Sequence, residues 1–202
     1  MKAPSLGCIV LAAGSSKRFG TSNKLHAEWM NGNSLIQSVL HNARKFPFSP
    51  RIAVVSESDT KTIELANSFG FEVSTLGEES QLLSDSLRIG LAGMIETGPD
   101  GFAIFLGDMP AIKQETIGHI IDSYQRHSGA KVVRPSFQGK PGHPVVFPIT
   151  FAENLLAQAG DQGAASWLKQ NASLVEIVEV DDRGCVLDID VPEDLKKFDG
   201  PE

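Results

Sequence analysis

The feature of this chain that most limits its possible folds is a regular alternation. Short apolar runs rich in Val and Ile, at residues 7–11, 51–55, 71–73, 102–106, 131–134, 144–147 and 174–178, are separated by longer stretches whose apolar residues return at helical spacing. Continuous apolar runs of this length suit strands buried on both faces. Strands that alternate with helices form mostly parallel sheets wrapped by those helices. Leu35, Ile36, Val39, Leu40 and Ala43 fall on one helical stripe, as do Ile117, Ile120, Ile121 and Tyr124. Gly70 closes a helix that starts near Asp59, and VPEDLKKF at 191–198 puts Pro192 in a first turn with acids leading and lysines trailing. The expectation is a three-layer α/β fold whose mostly parallel sheet has about seven strands flanked by helices. No repeat, low-complexity tract or linker divides the chain, so residues 1–202 read as one domain.

Composition narrows function before any motif does. The 202 residues carry a formal net charge of −7, which argues against nucleic acid as a partner, because its binders present a basic face. Cys8 and Cys185 lack the spacing of a zinc site and are too few for a disulfide scaffold, so a reduced, cytoplasmic setting is expected. The opening MKAPSLGCIVLAAGSS shares a basic start, a short apolar centre and small residues with a secretory signal. Its apolar part spans only 6–13, and Lys17 and Arg18 continue a different pattern. No run approaches the ~18 apolar residues of a membrane span. An acidic surface without an apolar stripe suits a monomer.

That different pattern is IVLAAGSSKRFGTSNKL, residues 9–25, an apolar run that ends in a glycine-containing loop flanked by Lys17, Arg18 and Lys24. Such a loop delivers backbone amides at the carboxyl edge of the sheet, where open α/β folds bind ligands. Glycine lets the backbone approach closely, successive amides form an anion-holding concavity, and nearby cations neutralise charge, so phosphate is the natural guest. A P-loop counted from Gly14 would need its second glycine at Phe19, and a dinucleotide fingerprint would need one at Ser16; both fail. A Gly/Ser connection bearing solvated charges is the plain alternative.

AIFLGDMPAI, residues 103–112, is an apolar run ending in Gly107-Asp108. An acid at the tip of a central strand suits Mg²⁺, which takes one or two carboxylates and completes its shell with water and substrate phosphate. Asp108 capping the following turn is the competing reading. VLDIDVPEDL at 186–195 adds Asp188 and Asp190, which equally suit the start of a helix. RPSFQGKPGHPVVF, 134–147, places a hairpin turn at 138–142 before another apolar strand. LLSDSLRIGLAGM, 82–94, puts Ser84 and Ser86 at a helix start, where they contact an anion through the free amides or simply cap.

In this order the segments resemble the MobA-like nucleotidyltransferases. The family signature LAAGxSxRFG followed by Lys-Leu is matched by Leu11, Ala12, Ala13, Gly14, Ser16, Arg18, Phe19 and Gly20, then by Lys24-Leu25. The resemblance implies the nucleotide-diphospho-sugar transferase type of Rossmann-like fold. It also implies that residues 11–16, including Ser15, wrap the triphosphate of an NTP, that Arg18 and Lys24 hold phosphate charge with Asp108 as the third catalytic group, and that Ser84 and Ser86 lie near the base or the acceptor. Asp108 becomes a metal ligand; Asp190 is the second by register, with Asp188 in reserve. Gly142-His143-Pro144 resembles the GHP element of the molybdenum cofactor cytidylyltransferase (MocA-like) branch, and GDQGAA at 160–165 resembles its GDxGAR. That likeness makes His143 and Asp161 acceptor-binding residues, while Ala165 stands where arginine is usual.

The activity so implied is Mg²⁺-dependent transfer of a nucleoside monophosphate from NTP, CTP by branch, to a phosphate-bearing acceptor. By branch the acceptor is molybdopterin cofactor, with a molybdenum hydroxylase receiving the product. A related transferase using GTP or another phosphorylated acceptor, and a binding protein that holds cofactor or nucleotide without turnover, are the alternatives.

Overall fold

A computed structural model of the chain describes residues 3–14, 19, 23–77, 82–157 and 163–198. Strand β1, Leu6–Ala12, is buried at every position. It pairs in parallel with β2, Arg51–Ser56, on one side and with β4, Gly101–Leu106, on the other, while β3, Glu72–Leu76, extends the sheet beyond β2. Past β4 the direction changes. β7, Val145–Pro148, is antiparallel to β4; β5, Val132–Phe137, is antiparallel to β7 and so runs with β4 again; β8, Val175–Glu179, is parallel to β5. A two-residue strand, β6, Lys140–Pro141, completes an eight-stranded sheet of order β3-β2-β1-β4-β7-β5-β6, with β8 on the other side of β5. The sheet is thus parallel through its first four strands and mixed beyond them.

Alternate residues of β1 face opposite layers. Cys8, Val10 and Ala12 join α1 (Leu35–Arg44), α2 (Thr60–Ser68) and α4 (Gln114–Arg126); Ile9 and Leu11 join α3 (Leu83–Thr97), α5 (Ala152–Leu156) and α6 (Gly163–Gln170). The predicted stripes are the buried faces: Leu35, Ile36 and Leu40 of α1 and Ile120 and Tyr124 of α4 are wholly inaccessible. Each large side chain so buried contributes about 1.5–3 kcal/mol relative to exposure. Local chemistry sets the helix ends. Ser34 and Gln37 form a reciprocal capping box on α1, Asp59 accepts from Thr62 N at 3.1 Å to cap α2, and Gly98 (φ 63°) closes α3. Gly90 lets α3 lie close on the sheet, since a Cβ there would stand 2.6 Å from Ile9 Cγ2.

Several boundaries depart from the sequence pattern. The edge strands β3 and β8 begin one residue later than their apolar runs, because strands half-exposed at an edge need no continuous apolar run. The hairpin turns on Gln138 and Gly139 alone (φ 51° and 76°), pairing Phe137 with Lys140; β6 is exposed and too short to leave a periodicity. Ser84 does not occupy the N-cap of α3, a position that falls to Leu82. Residues 192–198 form 3-10 turns that open on Pro192. Among the described residues no helix is long and apolar enough to cross a membrane.

What this arrangement positions is one edge. β1 and β4 are parallel and in register at Leu11 and Leu106, so the chain leaves both strands side by side, and Gly107 N donates to Leu11 O at 2.9 Å.

Candidate active site

Lys24 reaches that edge on a 3-10 turn, Lys24–His26. Asn23 holds the turn from both ends of its side chain: Oδ1 accepts from Leu25 N at 3.0 Å, and Nδ2 donates to Asp59 Oδ2 at 2.7 Å. Asp59 also bonds Thr62 and pairs with His26 Nε2 at 2.9 Å, so the N-terminus of α2 anchors the turn. Lys24 itself is only 8% exposed.

From this position Lys24 Nζ donates to Asp108 Oδ2 and to Asp190 Oδ1, each at 2.8 Å. These groups lie 84 and 166 residues from Lys24 along the chain. Asp108 arrives at the end of β4. Asp190 arrives on a strap that is tied twice: Ile189 N donates to the Asp108 carbonyl at 3.0 Å, and Asp194 Oδ2 accepts from Asp190 N and Val191 N at 2.8 and 2.9 Å. The acid that folds the 190–194 turn is therefore Asp194, while the Asp190 carboxylate turns to Lys24. Asp188 is exposed, near enough to Asp108 to act on its charge.

Burial pushes the Asp108 carboxyl above its ordinary range, Lys24 opposes that rise, and Asp188 adds to it. Burial alone would lower the Lys24 ammonium; the two carboxylates more than offset it, and the net shift is upward. The second oxygen, Asp108 Oδ1, is buried and accepts no hydrogen bond among the described residues. A buried carboxylate oxygen without a partner, together with the oxygen donors of Asp190, fits a hard divalent cation such as Mg²⁺ or Mn²⁺. Among the described residues no cluster of three or more His, Cys, Asp or Glu side chains is arranged to hold a metal. Asp108 and Asp190 would therefore supply two ligands and leave the remainder to water and substrate.

Around this triad the other predicted residues divide. Leu11 and Ala12 are buried at the end of β1, Ala13 packs on the core of the α3 layer, and Gly14 is exposed with open space where a Cβ would be. Ser84 and Ser86 are buried in the first turns of α3. Ser15, Ser16, Arg18 and Asp161 lie outside the described residues.

His143 stands apart from the triad. Its backbone N donates to Cys185 O at 2.8 Å, and burial together with the neighbouring Arg134 lowers its imidazole to about 4, so it is neutral near pH 7. It lines a cavity of about 110 Å³ under α3 and α6, walled by Leu11, Leu87, Leu106 and Leu168, with Ala165 at its rim. Arg134, which the sequence reading leaves as the end of a strand, is the other polar lining residue. Its Nε and Nη2 both donate to Gly142 O, at 3.2 and 2.9 Å. Asn23, Asp59 and Arg134 are the residues that sequence reasoning missed. Asp59 announced itself only as a helix start, and Arg134 only by the alternation that puts it on the same face as Val132.

Comparison with known proteins adds to this geometry. The sequence profile of the MobA-like NTP transferase domain matches residues 8–175. The bifunctional enzyme IspD/IspF of Paramagnetospirillum magneticum is 29% identical over 131 residues, 63% of this chain; the matched region is 33% of that relative. Among solved structures, Rv0371c from Mycobacterium tuberculosis H37Rv superimposes with a TM-score of 0.82 at 26% identity, over 98% of each chain. A structure of Rv0371c in complex with manganese gives 0.79 at 24% identity, over 96% of this chain and 97% of the other.

Proposed function

Since the chain belongs to the MobA-like NTP transferase family, we propose that it moves a nucleoside monophosphate from NTP to the phosphate of a small acceptor and releases pyrophosphate. On the branch resemblance of residues 142–144 and 160–165, the nucleotide is CTP and the acceptor molybdopterin cofactor, whose dinucleotide product passes to a molybdenum hydroxylase. The observation that carries this reading is Lys24 Nζ held 2.8 Å from both Asp108 and Asp190 at the edge where β1 and β4 end.

Asp108 and Asp190 would hold Mg²⁺, and the ion would neutralise phosphate charge. Lys24, with three N–H donors on one ammonium, holds the two carboxylates in position before ligand binds and then donates to phosphate oxygens. Where the chain leaves β1, Gly14 has open space at its Cβ position and would let a triphosphate approach the backbone. An oxygen of the acceptor phosphate attacks the α-phosphorus, that P–O bond forms, and the bond to the β-phosphate oxygen breaks with pyrophosphate as leaving group. The protein supplies alignment and charge and needs no nucleophile of its own.

Incubation of the protein with Mg²⁺, each NTP and molybdopterin, followed by mass spectrometry, tests nucleotide and acceptor together. The expected product is the cytidine dinucleotide, formed only with CTP. Asp108→Ala abolishes pyrophosphate release; full release by a folded Asp108→Ala protein would overturn the metal assignment.

A further inference from the structure

The cavity beneath α3 and α6 adjoins the triad through the chain itself: Leu106 on its wall is followed by Gly107-Asp108, and Leu11 by the glycine loop. Its walls are apolar except for Arg134 and His143. Arg134 has no carboxylate partner among the described residues; its hydrogen bonds there are the two to the Gly142 carbonyl. Those use Nε–H and one Nη2–H, which fixes the plane of the guanidinium and leaves three of its five N–H donors for something else.

Among the described residues the surroundings supply no counter-charge. Cys185 is a neutral thiol, pushed up to about 12 by burial and by Asp182 and Glu179, and His143 is neutral as well. Burial pulls Arg134 below its ordinary value, which is the mark of a cation placed where its charge is poorly solvated. A half-buried guanidinium in an apolar wall is costly unless an anion completes it. The anchor is also held in place. Gly142, which pins Arg134, lies against Cys185 with no room for a Cβ, and the next amide, His143 N, donates to Cys185 O at 2.8 Å.

Building on the transferase reading above, we propose that Arg134 is the anion anchor of the acceptor side. It takes the place of the arginine missing at 165, and it selects a phosphomonoester whose carbon body next to the phosphate is compact and apolar. The free N–H groups of Arg134 form a fork matched to two phosphate oxygens. The cavity, about 110 Å³, is smaller than the 150 Å³ apolar cavity known to admit benzene, so the body that enters is no larger than about one six-membered ring. His143, kept neutral, offers a hydrogen bond at the rim without adding charge. Any bulkier part of the acceptor lies outside, past Ala165.

Calorimetric titration of the full chain with phenyl phosphate, benzyl alcohol and inorganic phosphate tests this, with CTP and Mg²⁺ titrated in parallel. Phenyl phosphate binds at least about tenfold more tightly than either partial probe, because it alone presents both anion and body. Arg134→Met, which keeps the stem and removes the fork, weakens phenyl phosphate about tenfold or more and leaves CTP affinity unchanged. Arg134→Lys recovers part of the loss. Ala165→Phe, which leaves Arg134 alone and crowds the rim, weakens phenyl phosphate too. Unchanged phenyl phosphate binding in Arg134→Met, equal binding of inorganic and phenyl phosphate, or a parallel loss of CTP affinity overturns the assignment. Arg134-dependent binding in a protein that transfers no nucleotide would overturn the transferase reading and leave the anchor standing.

Discussion

Gly142→Ala is the sharpest perturbation the structure offers, because it strikes the joint between the hairpin and the strap that carries Asp190. A Cβ at 142 would overlap the Cys185 carbonyl oxygen and stand 2.7 Å from its carbon and 3.0 Å from Sγ. Two of these are backbone atoms, which cannot swing aside as a side chain does. The strap has little room to retreat. Gly184 is packed so closely on Ala111 that its own Cβ would fall 2.5 Å from the Ala111 carbonyl carbon. Asp182, 1% exposed, is bonded to Lys113 N, Thr116 Oγ1 and Gly184 N at 2.8, 2.6 and 2.9 Å. Forced separation adds overpacking of about 1–3 kcal/mol to the loss of the His143 N to Cys185 O bond, about 0.5–1.5 kcal/mol. The expected destabilisation is about 2–4 kcal/mol, or on the order of 5–12 °C in Tm for a chain of this size. Gly139→Ala is the control, since nothing lies within 4 Å of its Cβ and only the left-handed backbone (φ 76°) resists. It should cost about 1–2 kcal/mol and leave activity untouched. Scanning calorimetry and a pyrophosphate-release assay read both. A Gly142→Ala protein with wild-type Tm and turnover would refute the claim that the strap is wedged in place.

Three further outcomes follow from the same contacts. Lys24→Met leaves Asp108 and Asp190 without their cation. Transfer should fall about a hundredfold or more, and stability by about 1–3 kcal/mol at pH 7. Without Lys24 the Asp108 carboxyl rises further, so the gap in urea midpoints between variant and wild type should narrow as pH falls and Asp108 takes a proton. His143 has a folded value near 4, below its ordinary 6.5. The unfolded chain therefore takes the proton first: the contribution is complete above about pH 6.5 and lost progressively towards pH 4, at most about 3 kcal/mol. Denaturation of His143→Gln at pH 4.5, 5.5 and 7 should show that slope flattened. Asp59→Ala removes the α2 cap, worth about 0.5–2 kcal/mol, and the bond from Asn23 Nδ2, so turnover should drop in steady-state assays even where the fold survives.

Legibility in the sequence tracked how locally each feature is determined. β1, β4 and β7 were readable because strands buried on both faces must be continuously apolar, and α1 and α4 because one helical stripe must be. β6 was not readable, since two exposed residues in a hairpin carry no period. The antiparallel insertion of β7 between β4 and β5 leaves no trace in either strand's own residues. Lys24, Asp108 and Asp190 were each visible as motif residues, but their convergence on shared 2.8 Å contacts depends on parallel pairing of β1 with β4 and on the Ile189–Asp108 tie, both of long range. Arg134 looked ordinary. An arginine in VVRPSF reads as a solvated strand residue until the folded sheet places it beside Leu106 and Leu168, with no acid to pair with among the described residues.

On the proposed reading, the triad would also account for a polyphosphate site on an acidic chain, with a net charge of −7. Among the described residues, one ammonium lies between two carboxylates and offsets part of their charge, and these groups hold one another in position. On the proposed reading, Lys24 opposes a divalent cation that arrives by itself, because it already occupies the space between the two acids. The same acids oppose a triphosphate that arrives by itself. With cation and phosphate together, the carboxylates would hold the cation and Lys24 would meet the phosphate oxygens, so each group would face an opposite charge. On the same reading, a lysine placed between the acids, rather than beside them, would favour the paired ligand over either ion alone, before any contact with base or acceptor is made.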